Sequence, residues 1–286
     1  MKRLYLGIVV LGLAACAASP SPSPATDQPS ADGDVVATTN LAILYRDGRG
    51  VPKNDAEAAR LFKVAADRGY APAQANLGWM LATGRGTPQN HAEALSWYNR
   101  AAEQGNAAGI SGIGDQYYRG HGVPQDYKKA FEYYVKAAEK SYGSAETSVA
   151  WMYANGFGIE KDDGEAVKWY RHAAGRNNSQ ALNNLGAHYA SGRGVEKDEA
   201  EALRLYKRSA DLGNAMAMNN LGVRYREGLG TERDDAEAVK WFRLAAENGH
   251  KGAMTNLGWI YENGRGVPRD PAMAAEWYKK AAGVGS

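Results

Sequence analysis

Small and apolar residues recur along this chain at helical spacing, and the pattern restarts every 36 residues. From Ala73 to Ala108, Ala73, Leu77 and Leu81 fall four apart and share one face of a predicted first helix. Gly78, beside Leu77, removes a side chain where a neighbouring helix has to come close. Gly84-Arg85-Gly86 ends that helix, because glycine accepts the left-handed backbone that helix ends require, and Thr87-Pro88-Gln89 makes the turn. Asn90 opens a second helix, in which Ala94, Tyr98 and Ala101 share a face with Trp97 and Ala102 beside them, and Gly105 closes it. The G-x-G returns at Gly48/Gly50, Gly84/Gly86, Gly120/Gly122, Gly156/Gly158, Gly192/Gly194, Gly228/Gly230 and Gly264/Gly266, with no insertion or deletion between.

The second helix carries its own start signal. Asn54 and Glu57, Asn90 and Glu93, Asp162 and Glu165, Asp198 and Glu201, and Asp234 and Glu237 have the spacing of a capping box. Asp270 is followed by Pro271, a favoured first helical residue. Each cap contributes about 1 kcal/mol, and together they hold the register. A fixed period of this size predicts an all-α solenoid, whose units bury their apolar faces only against their neighbours. The seven helix-turn-helix units start near residues 37, 73, 109, 145, 181, 217 and 253, and the solenoid fills residues 37–286. Departures from the pattern are expected to be local. Unit one has Ala42 in the place of Gly78 and Leu61-Phe62 in that of Trp97-Tyr98, which suits a capping unit. Unit three has Gly109, Gly112, Ile113 and Gly114 in its first helix, where softer packing or a bend is expected. The seventh unit ends the chain without a polar capping helix, which makes this end a candidate for self-association.

The run Ala181…Leu185-Gly186…Tyr189…Gly192-x-Gly194-Val195…Asp198…Ala202…Tyr206…Ala210…Gly213 closely resembles the Sel-one-like repeat, a relative of the tetratricopeptide repeat. The resemblance covers nearly all of residues 37–286. It implies paired antiparallel helices stacked into a right-handed α-solenoid, and adaptor or scaffold work, often in bacterial envelope processes or host contact.

The first residues have a different pattern. Lys2 and Arg3 precede an apolar run from Leu4 to Leu13, about half the roughly 20 residues that span a bilayer. Residues 1–15 therefore read as a signal peptide. Leu13-Ala14-Ala15-Cys16 resembles the lipobox of bacterial lipoproteins, which implies cleavage before Cys16 and lipidation of that residue, the chain's one cysteine. Acyl chains anchor stably when two or more are present, so the expected membrane contact is the lipid alone. Ala17 follows the cysteine where an Asp would resemble an inner-membrane retention signal, which favours an outer-membrane anchor facing the periplasm. Residues 16–36 are rich in Ser, Pro and Ala and read as a disordered tether.

Without Lys2 and Arg3 the chain holds 32 basic and 32 acidic residues. A neutral solenoid without clustered Lys and Arg does not suit nucleic acid. Catalytic signatures are missing: no S-x-x-K, K-T-G, G-x-S-x-G or H-E-x-x-H occurs, and the G-x-G loops lack the G-K-[ST] of phosphate cradles. Some cysteine-rich relatives of the repeat bind or hydrolyse β-lactams, but this chain lacks their cysteine pairs. His91, His121, His172, His188 and His250 occupy five different places in the unit and have no metal spacing. The expectation is a non-enzyme without cofactor or metal.

A binding surface is sought on the first helices, which line the concave side in related repeats. The stripe opposite their core positions carries Asn40, Asn76, Asn184, Asn220 and Asn256, then Trp79, Trp151 and Trp259 three residues on, with Asp115 at that place in unit three. The amides can bond the backbone of a protein or peptide partner, with the tryptophans as anchors. They can equally bond the adjacent helix, with the tryptophans in the core. Loop arginines Arg49, Arg85, Arg193 and Arg265 either form a basic ridge or pair with nearby carboxylates. Lys63, Arg100, Lys136, Arg171, Lys207, Arg243 and Lys279 mark the outer face of the second helices. The leading expectation is a membrane-anchored protein-binding scaffold of the cell envelope. The alternatives are a peptidoglycan- or exopolysaccharide-binding or β-lactam- or cell-wall-processing envelope protein, or a surface-exposed factor contacting host proteins.

Overall fold

The structure, a computed structural model, describes residues 34–283. The expected signal peptide, Cys16 and nearly all of the tether lie outside the described residues. Among those described there are fourteen α-helices and no strand. The first helices of the seven units are α1 (Val35–Asp47), α3 (Ala71–Thr83), α5 (Ala107–Arg119), α7 (Gly143–Asn155), α9 (Ser179–Ser191), α11 (Ala215–Glu227) and α13 (Lys251–Asn263). The second helices are α2 (Asp55–Asp67), α4 (His91–Glu103), α6 (Tyr127–Ala138), α8 (Asp163–Gly175), α10 (Glu199–Asp211), α12 (Asp235–Glu247) and α14 (Pro271–Ala282). The first helix opens at Val35, two residues ahead of the boundary expected at 37, and the later first helices open two residues early as well. Contacts run from each helix to the next, as an α-solenoid requires.

The six second helices whose caps the sequence predicts are capped by Asn54, Asn90, Asp162, Asp198, Asp234 and Asp270, and Asp126 caps the remaining one as well, each accepting a bond from the backbone N–H three residues on. The reciprocal half of the capping box does not form. The N–H of Asn54 donates instead to Tyr45 O at 2.9 Å, and the caps of the other six units repeat this bond to the carbonyl nine residues back. Glu57 and Glu201 are thereby released to the side, where they hold Arg60 and Arg204. The cap backbone thus closes the turn inside each unit while its side chain starts the next helix.

The two glycines of each G-x-G do different work. Gly84 is the left-handed C-cap of α3, at φ 68°, and its N–H donates to Met80 O. Gly86 lies against the preceding unit, where a Cβ would stand 2.0 Å from Asp55 O. Gly158, Gly194, Gly230 and Gly266 press on the same place in their own preceding units.

Second helices bury one face, with Trp97, Tyr98, Tyr170, Tyr206 and Phe242 in the core. First helices are buried more widely than a single face: α3 encloses Ala73, Gln74, Ala75, Leu77, Gly78, Met80 and Leu81, because units pack on both sides of it. Gly78 faces the Tyr98 ring, which a Cβ would meet at 2.8 Å. Ala42 is fully buried in that place in unit one, but so is Ala150 in unit four, so alanine there does not mark an end unit. The softer packing expected in unit three is corrected by the structure. Gly109, Gly112 and Gly114 are buried, and a Cβ on each would meet Ala101, Tyr98 or Tyr134 at 2.4–2.9 Å. The glycines there serve close approach, and α3 and α5 touch directly.

Side chains thirty residues apart meet along the array. Across the junction of units one and two Arg85 holds Asp55, and between the two helices of a single unit Gln104 holds Gln74, Arg176 reaches Glu146, and Ser209 donates to Ser179 O. Where Asp55 meets Arg85, the next junction stacks His91 on His121 at 4.2 Å between ring centroids, and the one after places Tyr127 against Phe157 at 4.9 Å.

Candidate protein-binding groove

The seven first helices stand side by side, and their outward stripe carries the candidate residues. Asn76, on α3, donates to Pro72 O at 2.8 Å and accepts from Arg46 of the preceding unit at 2.7 Å. Asn184, on α9, accepts from Gln180 and Asn183 and donates to Tyr170 Oη at 3.3 Å. Asn220 and Asn256 donate to Asn183 and Asn219 of their preceding units at 2.9 and 3.0 Å, and Asn256 also accepts from Arg226. The amides of Asn76, Asn220 and Asn256 therefore bond to the adjacent first helix, while Asn40 is exposed on α1.

The three tryptophans differ in setting. Trp79 and Trp259 are exposed, at 36% and 40% of their surface. The Arg85 guanidinium lies 4.8 Å from the Trp79 ring, and Arg226 and Arg265 lie 5.5 and 5.9 Å from that of Trp259. Trp151 is half-buried, stacked on Phe157 at 4.9 Å and nearly perpendicular to the Tyr118 ring at 5.6 Å. The loop arginines pair with carboxylates more than they form a ridge. Arg85 grips Asp55 with two bonds, Arg265 lies 3.3 Å from Asp235, and Arg49 reaches Asp47, while Arg193 turns to Ser191.

Three clefts follow one another along the first helices of units two to five. One of 390 Å³ is lined by Asn76, Trp79, Tyr98, Asp115 and Ser148 among others. Another of 290 Å³ shares Asp115 and Ser148 with it and adds Tyr118, Tyr134, Trp151 and Asn184. A third of 180 Å³ shares Trp151 and Asn184 with the second and adds Tyr170, His188 and Arg193. Shared walls make the three a continuous trough. It brings together Asn76, Trp79, Trp151 and Asn184. Asn40, Asn220, Asn256 and Trp259 line none of these clefts.

Asp115 stands between the first two clefts. Tyr134 Oη donates to its Oδ1 at 2.6 Å. Solvent reaches the residue, yet the surrounding protein desolvates it and raises its carboxyl above the usual carboxylate range, against the bond from Tyr134 and the more distant Arg119 charge. Burial drives the Tyr134 hydroxyl upward too, and pushes Tyr170 up to about 12. In the third cleft, burial lowers His188, whose Nδ1 lies 2.8 Å from Arg193 O. Sequence reasoning missed the aromatic cluster of Tyr118, Tyr127, Trp151 and Phe157 and the pairing of Tyr134 with Asp115. Its one clue was the Asp standing where units two, four and seven have Trp. Among the described residues no three His, Cys, Asp or Glu side chains gather as a metal site, and no helix is long and apolar enough to cross a membrane.

The crystal structure of c5321, a protective antigen of uropathogenic Escherichia coli strains with an SLR fold, matches at 35% identity and a TM-score of 0.63 over 88% of this chain. The chain spans about half of that antigen, 54% of its length. A Sel1 repeat protein from Oxalobacter formigenes matches at 30% identity and a TM-score of 0.72, covering 85% of this chain and 96% of that one. Immunity protein Pa5087 from Pseudomonas aeruginosa shares the fold, at 18% identity and a TM-score of 0.57 over 74% of this chain and 81% of its own. None of the curated proteins compared with the chain matches it. The Sel1 repeat model matches seven times, at residues 35–70, 71–106, 109–142, 143–178, 179–214, 215–250 and 252–286. A 36-residue helical pair repeated seven times, with its caps and its G-x-G contacts in place, accords with that match, and the chain belongs to the Sel1 repeat family.

Proposed function

We propose that this protein is a non-catalytic scaffold of the bacterial cell envelope, held at the periplasmic side of the outer membrane by lipid on Cys16, and that it binds a protein or peptide partner along the first helices. Sel1 repeat proteins are generally protein-binding scaffolds. The observation that carries the reading is the continuous trough over units two to five, walled by Trp79 and Trp151 and edged by the amides of Asn76 and Asn184. Such a surface offers aromatic anchors and backbone-bonding groups at once.

The test is crosslinking in living cells and purification of the tagged protein, beside a Trp79→Ala, Trp151→Ala, Trp259→Ala variant checked for helicity. A protein partner captured by the parent and lost by the folded variant supports the trough. Equal capture by both moves the site elsewhere on the scaffold. Recovery of cell-wall or exopolysaccharide glycans without a protein overturns the protein-binding reading. Metabolic labelling with a clickable fatty acid tests the anchor: Cys16→Ser is expected to abolish the label, and an unlabelled parent would refute it.

A further inference from the structure

Building on the trough as the binding surface, we infer that it selects a partner segment carrying a basic side chain, lysine or arginine, whose cationic head docks on Asp115. Among the described residues Asp115 is the one carboxylate lining any of the three clefts, and it lines two of them. The matching place in the other units holds Ile43, Trp79, Trp151, Ala187, Val223 and Trp259, all apolar, so the fold has no need of a carboxylate there. Its cost is visible in the desolvation that opposes its charge. Tyr134 satisfies Oδ1. The remaining oxygen makes no hydrogen bond among the described residues, and the residue is open to solvent.

The surroundings suit a cation. Trp151 and Tyr118 wall the same cleft, with their rings 5.6 Å apart, and an aromatic face attracts lysine and arginine heads. The trough already places a cation so at its neighbouring tryptophan, where Arg85 covers Trp79. Arg119 shares one cleft with Asp115 and Arg46 the other, Arg46 being held by Asp47 and Asn76, and among the described residues neither forms an ion pair with Asp115. Gln180, Asn184 and Ser148 stand at the same cleft and supply bonds for a peptide backbone on either side of the docked residue. A charge-assisted bond in a partly desolvated site is stronger than one at an open surface.

The experiment uses the immobilised protein and octapeptide pools with lysine, arginine, norleucine or glutamate fixed at the centre of randomised flanks. The parent is expected to retain the lysine and arginine pools about tenfold over the norleucine pool, and the glutamate pool least. Asp115→Asn, which keeps an acceptor for Tyr134, is expected to lose that preference while keeping its helicity. Asp115→Trp copies units two and four and serves as the second variant, with the same loss expected. Retention without basic preference, or a preference unchanged in both variants, overturns the inference. When peptides are retained in a Trp79- and Trp151-dependent way without basic selection, the trough stands and only the role of Asp115 falls. Retention of no pool by the parent overturns both.

Discussion

At the scale of single residues, the contacts that fix this protein are made by the smallest side chains. Gly50 and Gly86 share a left-handed backbone, at φ 74° and 67°, but only Gly86 has a neighbour: a Cβ there would stand 2.0 Å from Asp55 O, while at Gly50 it would meet nothing within 4 Å. Alanine at either position bears the same backbone strain, so the difference between the two variants isolates the contact between units. Gly86→Ala is expected to cost roughly 1–3 kcal/mol more than Gly50→Ala in urea denaturation, and equal costs would mean that the junction yields. The sequence showed these glycines at once, because they recur at a fixed place. It did not show that Gly86 presses on Asp55 of the preceding unit while Gly50, at the same place in unit one, touches nothing within 4 Å.

At the scale of helices and their junctions, each second helix opens against the loop of the next unit, and the pair that meets there changes along the chain. Asp55 meets Arg85 and Asp235 meets Arg265, but the junction of units two and three has His91 stacked on His121. Burial first, and then the neighbouring His121, lowers the His91 pKa below the ordinary imidazole value. The folded protein therefore binds a proton there less readily than the unfolded chain. Stability from this group is fully present above the ordinary value of 6.5, is lost as pH falls below it, and stops falling once the lowered folded value is passed. His188 and His250 are lowered by burial as well and act in the same direction. The urea midpoint is expected to fall between pH 7.5 and pH 5. The double variant His91→Asp, His121→Arg installs the pair of the first and last junctions, an exposed-type ion pair contributing about 0.5–1 kcal/mol at most, and should flatten that fall in part. An unchanged slope would show that the histidine stack plays no part in it. Reading down a column of the repeat could not find this pair. The partners lie thirty residues apart, and the period is thirty-six, so every column holds one partner without the other. Tyr118 with Trp151 and Arg46 with Asn76 escaped for the same reason, whereas six of the second-helix caps and the G-x-G helix ends, being local, were legible, although the first-helix caps Asn106, Asn178, Asn214 and His250 were not read.

At the scale of the whole molecule, the trough is a property of several units and no single one contains it. Units two to five supply its walls, through Trp79, Asp115, Trp151 and Asn184. Binding should therefore survive changes at Asn220, Asn256 and Trp259 better than changes at Trp79 and Trp151. In a titration with a captured partner, Trp79→Ala and Trp151→Ala are each expected to weaken binding about thirtyfold or more, as an anchor worth 2 kcal/mol would, and Trp259→Ala by less than threefold. The reverse order would place the site on units six and seven. The side-by-side stripe was legible in the sequence, but which part of it hollows into clefts was not, because that depends on the glycines of α5 and on the aromatic rings that meet across the junctions. The changing pairs at those junctions also bear on how such a chain can be copied. Slippage that duplicates or loses whole units keeps the period, yet it brings new partners face to face. Excising residues 71–178 would set Asp55 opposite Arg193, a match, whereas excising 71–142 would set it opposite Phe157. The junction pairs thus act as a compatibility code for recombination, permitting some rearranged arrays to fold and rejecting others of equal length.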